Sequence, residues 1–372
     1  MKNPRVWLGI LVSIGMLAWL AYMVDPVQVW GALSGANLLL VALCCATLPV
    51  TMYLKCVRWR LFFPKPEAVS MRGLLSALYL GYLANTVLPL RAGEILRAFL
   101  VGESERVNKS TVLATVLIEK VIDLGTMALF LFALRFVLPL PDTANAAAWL
   151  SGLGLVVAAV GLTFVLAARD RAVALAEWCE ARVSLLRKIG AAGLLASFID
   201  GLAFVRKPAV LAKVVGWSVV MWVGSGFTIY FGLLALGIDQ PFAVAVFVMV
   251  ATNLSMAVPS APGYVGVFHG TVVLALAVFG VDESRAAAAG IVTHAAIFGA
   301  FIVGGAYYLL RGDAARFGGT RLGELVARAR STDHGEHGVA GASSKSRPSR
   351  GAGEHLTDAG EHRGSAAVHD VR

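Results

Sequence analysis

Long apolar runs separated by short polar segments dominate this chain, and their length is that of membrane spans. Runs of 17 residues or more recur, each long enough at about 1.5 Å per residue to approach or cross a hydrocarbon layer of about 30 Å. Six read as full spans: residues 6–24, 38–57, 111–138, 146–167, 209–236 and 286–310. The first has no small-residue cleavage site behind it and reads as a retained span, not a removed signal peptide. Two further runs are interrupted. Residues 73–90 lead into NTVLPLRAGEILRA (85–98), where Pro89 removes a backbone donor and Gly93 permits a turn. Residues 242–279 contain NLSMAVPSAPGYVGVFHG, with Pro259, Pro262, Gly263, Gly266 and Gly270.

The placement of Lys and Arg orients these elements. Lys2 and Arg5 put the N-terminus inside, as Lys55, Arg58, Arg60, Lys65 and Arg72 do for the loop after the second span. RAFLVGESERVNK, after the first interrupted run, is again basic. Both ends of that run are therefore inside, and it reads as a re-entrant hairpin. Arg311, Arg316, Arg321, Arg328 and Arg330 place the end of the last span inside, so residues 242–279 begin and end outside and form a second hairpin entering from the opposite face. Residues 6–138 and 146–310 then have one order, span, span, hairpin, span, with every direction reversed. That is an inverted repeat of the kind found in transporters. The expected fold is an all-α polytopic membrane domain over 1–311, followed by a disordered polar cytoplasmic tail over 312–372. Residues 169–207, basic at both ends and centre with Trp178, Leu185, Leu186, Ile189 and Phe198 between, read as amphipathic helix on the cytoplasmic leaflet or as an ordinary loop helix packed on the bundle.

Composition agrees. With 58% hydrophobic and 15% charged residues and a mean hydropathy of +0.74, the chain is outside the range of soluble domains. The net charge of +9 flanks the spans, which fits anionic lipid better than nucleic acid. Cys44, Cys45, Cys56 and Cys179 lack C-x-x-C spacing and read as packing residues. Five of seven histidines are scattered through the tail, so no metal site is expected, and no cofactor.

The chemistry concentrates in two places. Arg91, Glu94 and Arg97 sit in the first hairpin, and ATVLIEKVIDLG (114–125) puts Glu119, Lys120 and Asp123 inside an otherwise apolar run. Glu119 and Asp123, four residues apart, share a helix face. A charge near the bilayer centre costs about 2.5–3.5 kcal/mol, so these side chains face protein or water. The six balance, three positive and three negative. They form either a neutral structural network or a working site, in which arginine offers a planar fork to phosphate oxygens and a carboxylate releases it. Asn85 and Asn253 stand upstream of the two breaks, and His269 is the one charge-capable group of the second hairpin, with His294 in the last span. The candidate substrate-binding set is Asn85, Arg91, Glu94, Arg97, Glu119, Lys120, Asp123, Asn253 and His269; the candidate hairpin turns are Pro89, Gly93, Pro259, Pro262, Gly263 and Gly266. Arg135, near the outer end of its span, snorkels to the interface.

NTVLPLRAGEILRAFLV, TVLIEKVIDL and PSAPGYVGVFHG, in that order, resemble the flippase-like transmembrane region of lysylphosphatidylglycerol synthases over residues 6–310. The resemblance puts Asn85, Pro89, Gly93, Glu94, Arg97, Glu119, Lys120, Asp123, Pro262, Gly263 and Gly266 on motif positions. His269 stands where that family often has a glutamate. It implies a multi-pass inner-membrane protein with both termini cytoplasmic, which binds an anionic or modified lipid headgroup and moves it between leaflets. The full-length synthases carry an aminoacyl-transferase domain after the membrane region; here a polar tail of about 60 residues follows, so no catalytic residue is expected. The rivals are an integral-membrane enzyme or enzyme subunit acting on a lipid-linked substrate, with Glu94, Glu119 or Asp123 as acid or base, and a scaffold for a lipid- or envelope-biosynthesis enzyme.

Overall fold

The computed structural model describes residues 4–87, 92–202, 207–257 and 260–312. Pro89, Arg91, Pro259 and the tail beyond residue 312 lie outside the described residues. Every regular element among those described is helical. In chain order they are α1 (Pro4–Met23), α2 (Pro26–Ser34), α3 (Leu38–Arg60), α4 (Met71–Val87), α5 (Ala92–Ser104), α6 (Lys109–Leu134), α7 (Asp142–Ala167), α8 (Arg169–Arg182), α9 (Ser184–Ile189), α10 (Ala191–Gly201), α11 (Pro208–Ala235), α12 (Phe242–Ser255), α13 (Val267–Ala277) and α14 (Glu283–Leu310). Four helices among the described residues, α3, α7, α11 and α14, are long and apolar enough to cross a bilayer. α1 and α2 make a fifth if the 87° bend between them is one broken span. α6 has 26 residues but carries Glu119, Lys120 and Asp123 at its middle.

Side-chain caps set many of the boundaries. Asp25 accepts from the Val27 amide at 2.9 Å and Pro26 opens α2. Asn37 accepts from the Leu39 and Leu40 amides at 3.0 and 3.3 Å, Asn108 from Ser110 at 2.9 Å, and Asp282 from Arg285 at 3.0 Å. Each satisfies amides that the first helical turn leaves free.

α3 and α11 run antiparallel. The Asn37 amide donates to the Ala235 carbonyl at 2.8 Å at one end, and Arg58 donates to Ser218 Oγ at 3.2 Å toward the other. The first hairpin, α4 with α5, leaves from the Arg60 end, where the Ser70 amide and hydroxyl both donate to the Glu105 carboxylate at 2.9 and 2.7 Å. The second, α12 with α13, leaves from the Ala235 end, where Phe247 meets Phe279 and Arg285 donates to the Leu236 and Gly237 carbonyls. Their tips meet: the turn Pro262–Tyr264 packs against α4.

Lipid tails are as apolar as leucine, so helices in a membrane hold together by close contact and polar ties more than by hydrophobic force. Small residues accordingly mark the tightest seams. A Cβ on Gly232 would meet Thr293, and one on Gly304 or Gly305 would meet Tyr79 or Leu83. Ala286 to Ala289 are all buried on α14. The wide outer face of α7 instead exposes Trp149, Leu153, Val157, Val160 and Phe164.

Residues 169–202 form three helices, because Val183 is extended and Gly190 left-handed at φ 63°. α10 buries Ala192 and Ile199 against α6. α8 has no fully buried residue; Ala172 and Val173 pack partly buried against the core, while Leu175 and Trp178 are exposed, with Arg182 stacked 3.6 Å over the Trp178 ring. Arg135 sits 3.9 Å over Trp149 and donates to Asn145 at 3.2 Å.

Candidate functional site

Five charged side chains meet between α3, α5 and α6. Lys55 Nζ lies 3.2 Å from Glu119 Oε1 and 3.8 Å from Asp123 Oδ2. Arg58 Nη1 lies 2.6 Å from Asp123 Oδ1, which also accepts from Trp222 Nε1 at 3.1 Å. Arg97 donates to Glu119 Oε1 at 3.3 Å and brings Nη2 to 3.0 Å from Oε2, an ion-pair distance without hydrogen-bond alignment. Arg58 and Glu119 are fully buried, Arg97 and Lys55 nearly so. The arginine faces are covered by rings, Trp59 at 4.5 Å from Arg97 and Phe62 at 5.8 Å from Arg58. Beside this cluster Lys120 pairs with Glu94 at 2.7 Å, at the more open edge of the same helices.

Helix geometry explains the assembly. Glu119 and Asp123 are one turn apart on α6 and Lys55 and Arg58 one turn apart on α3, so two matched faces press together. Lys120, on the neighbouring face, reaches α5 instead. Three cations then face two carboxylates, and Arg58 Nε and Nη2 and Arg97 Nε have no hydrogen-bond partner among the described residues. This corrects the expected neutral set: α3 supplies two cations that the six-residue balance omitted. Their signal was legible as a Lys and an Arg at i and i+3 facing two carboxylates at i and i+4, but the positive-inside rule had already accounted for both as loop-flanking charge.

A cavity of about 410 Å³ opens beside the cluster. Its polar lining includes Lys55, Asn85, Glu94, Lys120, Asp123 and Asn253. Thr51, Ser225, Thr228 and Thr252 add hydroxyls, and most of the remainder is apolar or aromatic: Met52, Met127, Met221, Met249 and Met256, with Tyr82, Trp222, Tyr264, Phe268, Phe298 and Phe301 among the rings. Five of the chain's nine methionines therefore border one space, and methionine suits a wall that must adapt to irregular apolar contents. Both hairpins contribute, through Asn85 and Glu94 on one side and Asn253, Tyr264 and Phe268 on the other.

Of the sequence candidates, Asn85, Glu94, Lys120, Asp123 and Asn253 line the cavity, and Arg97 and Glu119 sit behind it in the buried cluster. Asn253 donates to its own helix at Met249, 2.8 Å. Asn85 accepts from the Gly93 amide at 2.8 Å and clasps the first hairpin. Gly93 serves that hairpin in another way than the turn expected of it. It is helical within α5, and a Cβ there would overlap the Gly81 carbonyl oxygen, so α4 and α5 touch backbone to backbone. Gly263 and Gly266, at φ 74° and 90°, do occupy the region that favours glycine, and Pro262 opens their turn. His269 is not a lining residue. It stands behind Phe268 with its ring 4.6 Å from His294.

The model of the lysylphosphatidylglycerol synthase TM region matches residues 6–305. The chain belongs to that family. The matched stretch takes in both hairpins, the charge cluster and the cavity. A relative from Haloferax volcanii, Glycosyltransferase AglD, is 28% identical over 340 residues, 82% of this chain and 54% of its own. The chain thus spans about half the length of that curated relative. No solved structure matches the chain.

Proposed function

We propose that this domain binds an anionic or modified lipid, phospho- or glycolipid, between its two hairpins and moves the headgroup between leaflets. α1, α3, α6, α7, α11 and α14 are read as full spans, α4–α5 and α12–α13 as re-entrant hairpins, and both termini as cytoplasmic in an inner plasma membrane. The observation that carries the reading is the cavity's polarity. Lys55, Lys120, Glu94 and Asp123 give the cavity charge, Asn85, Asn253 and several hydroxyls give it further polar groups, and methionines, aromatic rings and aliphatic side chains make up the remainder, which suits a charged headgroup with the first part of its chain. The excess of cations over carboxylates in the cluster behind it favours an anion.

Family membership supports a lipid-related role. A second reading, in which the domain presents a lipid-linked substrate to an envelope-biosynthesis enzyme or forms part of one, draws on the name of the Haloferax volcanii glycosyltransferase. Purified protein reconstituted in vesicles of phosphatidylethanolamine and phosphatidylglycerol, with a trace of fluorescent phosphatidylglycerol, separates the two. Carriage is expected to expose inner-leaflet probe to an external quencher. Headgroup-resolved mass spectrometry of the copurified lipid is expected to find one anionic or glycosylated class enriched. Enrichment without movement of the probe or of the enriched lipid favours presentation.

A further inference from the structure

The seam between α13 and α14 holds a polar pair that the lipid site does not use. The rings of His269 and His294 lie 4.6 Å apart, centroid to centroid. Phe298 stacks on His294 at 4.1 Å, and Phe268 stands edge-on at 5.3 Å. Those two phenylalanines line the cavity on their other side and separate the histidines from its charges. Of the elements packed on α14, α2 has no ionisable group, and besides the cysteines α3 brings Tyr53, Lys55, Arg58 and Arg60, α4 Arg72, Tyr79 and Tyr82, and α11 Lys213 and Tyr230, none of them a carboxylate. α12 has no ionisable group, α13 has only His269, and α1 has only Arg5 and Tyr22, near its ends. The others on α14 are Glu283, Arg285, Tyr307 and Tyr308, toward its ends, and the adjoining turn contributes Tyr264, whose ring is 6.2 Å from Phe298.

The hydrogen bonds fix where a proton can go. His294 Nε2 is 2.8 Å from the Gly263 carbonyl oxygen. A carbonyl only accepts, so this nitrogen carries the hydrogen and Nδ1 keeps the lone pair. His269 Nδ1 is buried with no hydrogen-bond partner among the described residues. The neutral pair therefore offers basic nitrogens, no facing carboxylate among the described residues, and rings too close to accept two protons without repulsion.

We propose that His269 and His294 form a proton-binding site distinct from the headgroup site, and that the proton is the carrier's coupling ion. A hydronium ion from bulk water gives one proton to a ring lone pair; its O–H bond breaks, an N–H bond forms, water leaves, and the seam gains one positive charge. The charge acts at the joint of the two hairpins. His294 holds Gly263, whose neighbour Tyr264 is left-handed at φ 57° and lines the cavity, and the turn they share rests on α4. Relief of the buried charge means moving α13 and this turn relative to α14. The proton site stands independently of lipid carriage; its role as coupling ion rests on the carrier reading.

Spin labels at Val87→Cys and Val265→Cys, with Cys45 and Cys179 changed to Ser, report the distance between the hairpin tips in the full chain. The protein is held in nanodiscs of phosphatidylethanolamine and phosphatidylglycerol. Between about pH 8 and about pH 4, a window wide enough for both exposed and buried imidazoles, a minor distance population is expected to grow at least about twofold. His269→Gln with His294→Gln keeps an amide donor for Gly263 and cannot take a proton; its distances are expected to be independent of pH. Asp200→Asn, on α10 and outside both sites, is expected to respond as the parent does. A pH-independent parent, a responsive double variant, or an Asp200→Asn protein that loses the response each overturns the proposal. Should the double variant not fold, His269→Gln carries the test, and a midpoint within about half a unit of the parent's overturns the site. In vesicles, an imposed pH gradient is expected to change fluorescent phosphatidylglycerol movement by about threefold or more in the parent alone; equal dependence in the double variant overturns coupling. Absent movement in every protein with the distance response intact fells the carrier reading and leaves the proton site standing.

Discussion

Replacing Glu119 by Gln keeps the shape of the side chain and removes one of the two carboxylates that three buried cations share. In the parent, Glu119 meets Lys55 at 3.2 Å and both terminal nitrogens of Arg97 at 3.0 and 3.3 Å, with no exposed surface. The substitution leaves Lys55, Arg58 and Arg97 with Asp123 alone, so Arg97 is stranded. Breaking a buried pair from one side costs about 3–5 kcal/mol, and Glu119→Gln is expected at the upper end. Arg97→Met fills similar space and leaves Lys55 and Arg58 facing Glu119 and Asp123, two against two. It loses the Trp59 contact at 4.5 Å and one partner of Glu119, which still holds Lys55, for about 1–3 kcal/mol. The double variant restores the parent's excess of one cation and is expected to be more stable than Glu119→Gln alone, with a coupling of about 1–3 kcal/mol. Unfolding in mixed micelles, followed by tryptophan fluorescence on all four proteins, measures each value. A Glu119→Gln protein as stable as the parent, or one no less stable than Arg97→Met, would refute the charge reasoning.

Gly93→Ala drives a methyl group into the Gly81 backbone and is expected to cost about 1–3 kcal/mol or prevent folding, whereas Gly154→Ala, with nothing within 4 Å, is expected to be neutral; equal melting points refute the contact. Lys120→Gln removes a half-exposed ion pair worth about 0–1 kcal/mol, so it is expected to leave stability nearly unchanged and to weaken retention of the copurified lipid. Asp200 accepts from Arg169 at 2.6 and 2.8 Å, and that hydrogen bonding holds its carboxyl below the usual aspartate range. Its small contribution is therefore present above that range and lost as pH falls through the folded value; hydrogen exchange of α8 and α10 is expected to rise there, and Asp200→Asn to flatten the profile. Single cysteines at Arg106 and Ser184 are expected to label from one side of the membrane and one at Asp142 from the other; Arg106 labelling with Asp142 would make the first hairpin a span.

The elements were legible in the sequence because each rests on a local cause: apolar length for α3, α7, α11 and α14, and glycines at positive φ for the second hairpin's turn. The carboxylates were legible too, since three charges in the middle of α6 have no bland explanation in lipid. Lys55 and Arg58 were hidden by a rule that is right on average. Basic residues at the end of an apolar run usually mark the inner water boundary, but α3 continues to Arg60 and turns both side chains onto α6. Nothing within α3 separates a boundary lysine from a buried one; the difference lies on α6, more than 60 residues along the chain. The same holds for Gly93, whose need arises from Gly81 on the opposing helix, and for His269, whose partner is on α14. A pairing test would have found the first case: wherever a span contains carboxylates at i and i+4, cations at i and i+3 or i+4 near another span's end are candidates to bury against them, and each unmatched charge in the lipid raises the odds.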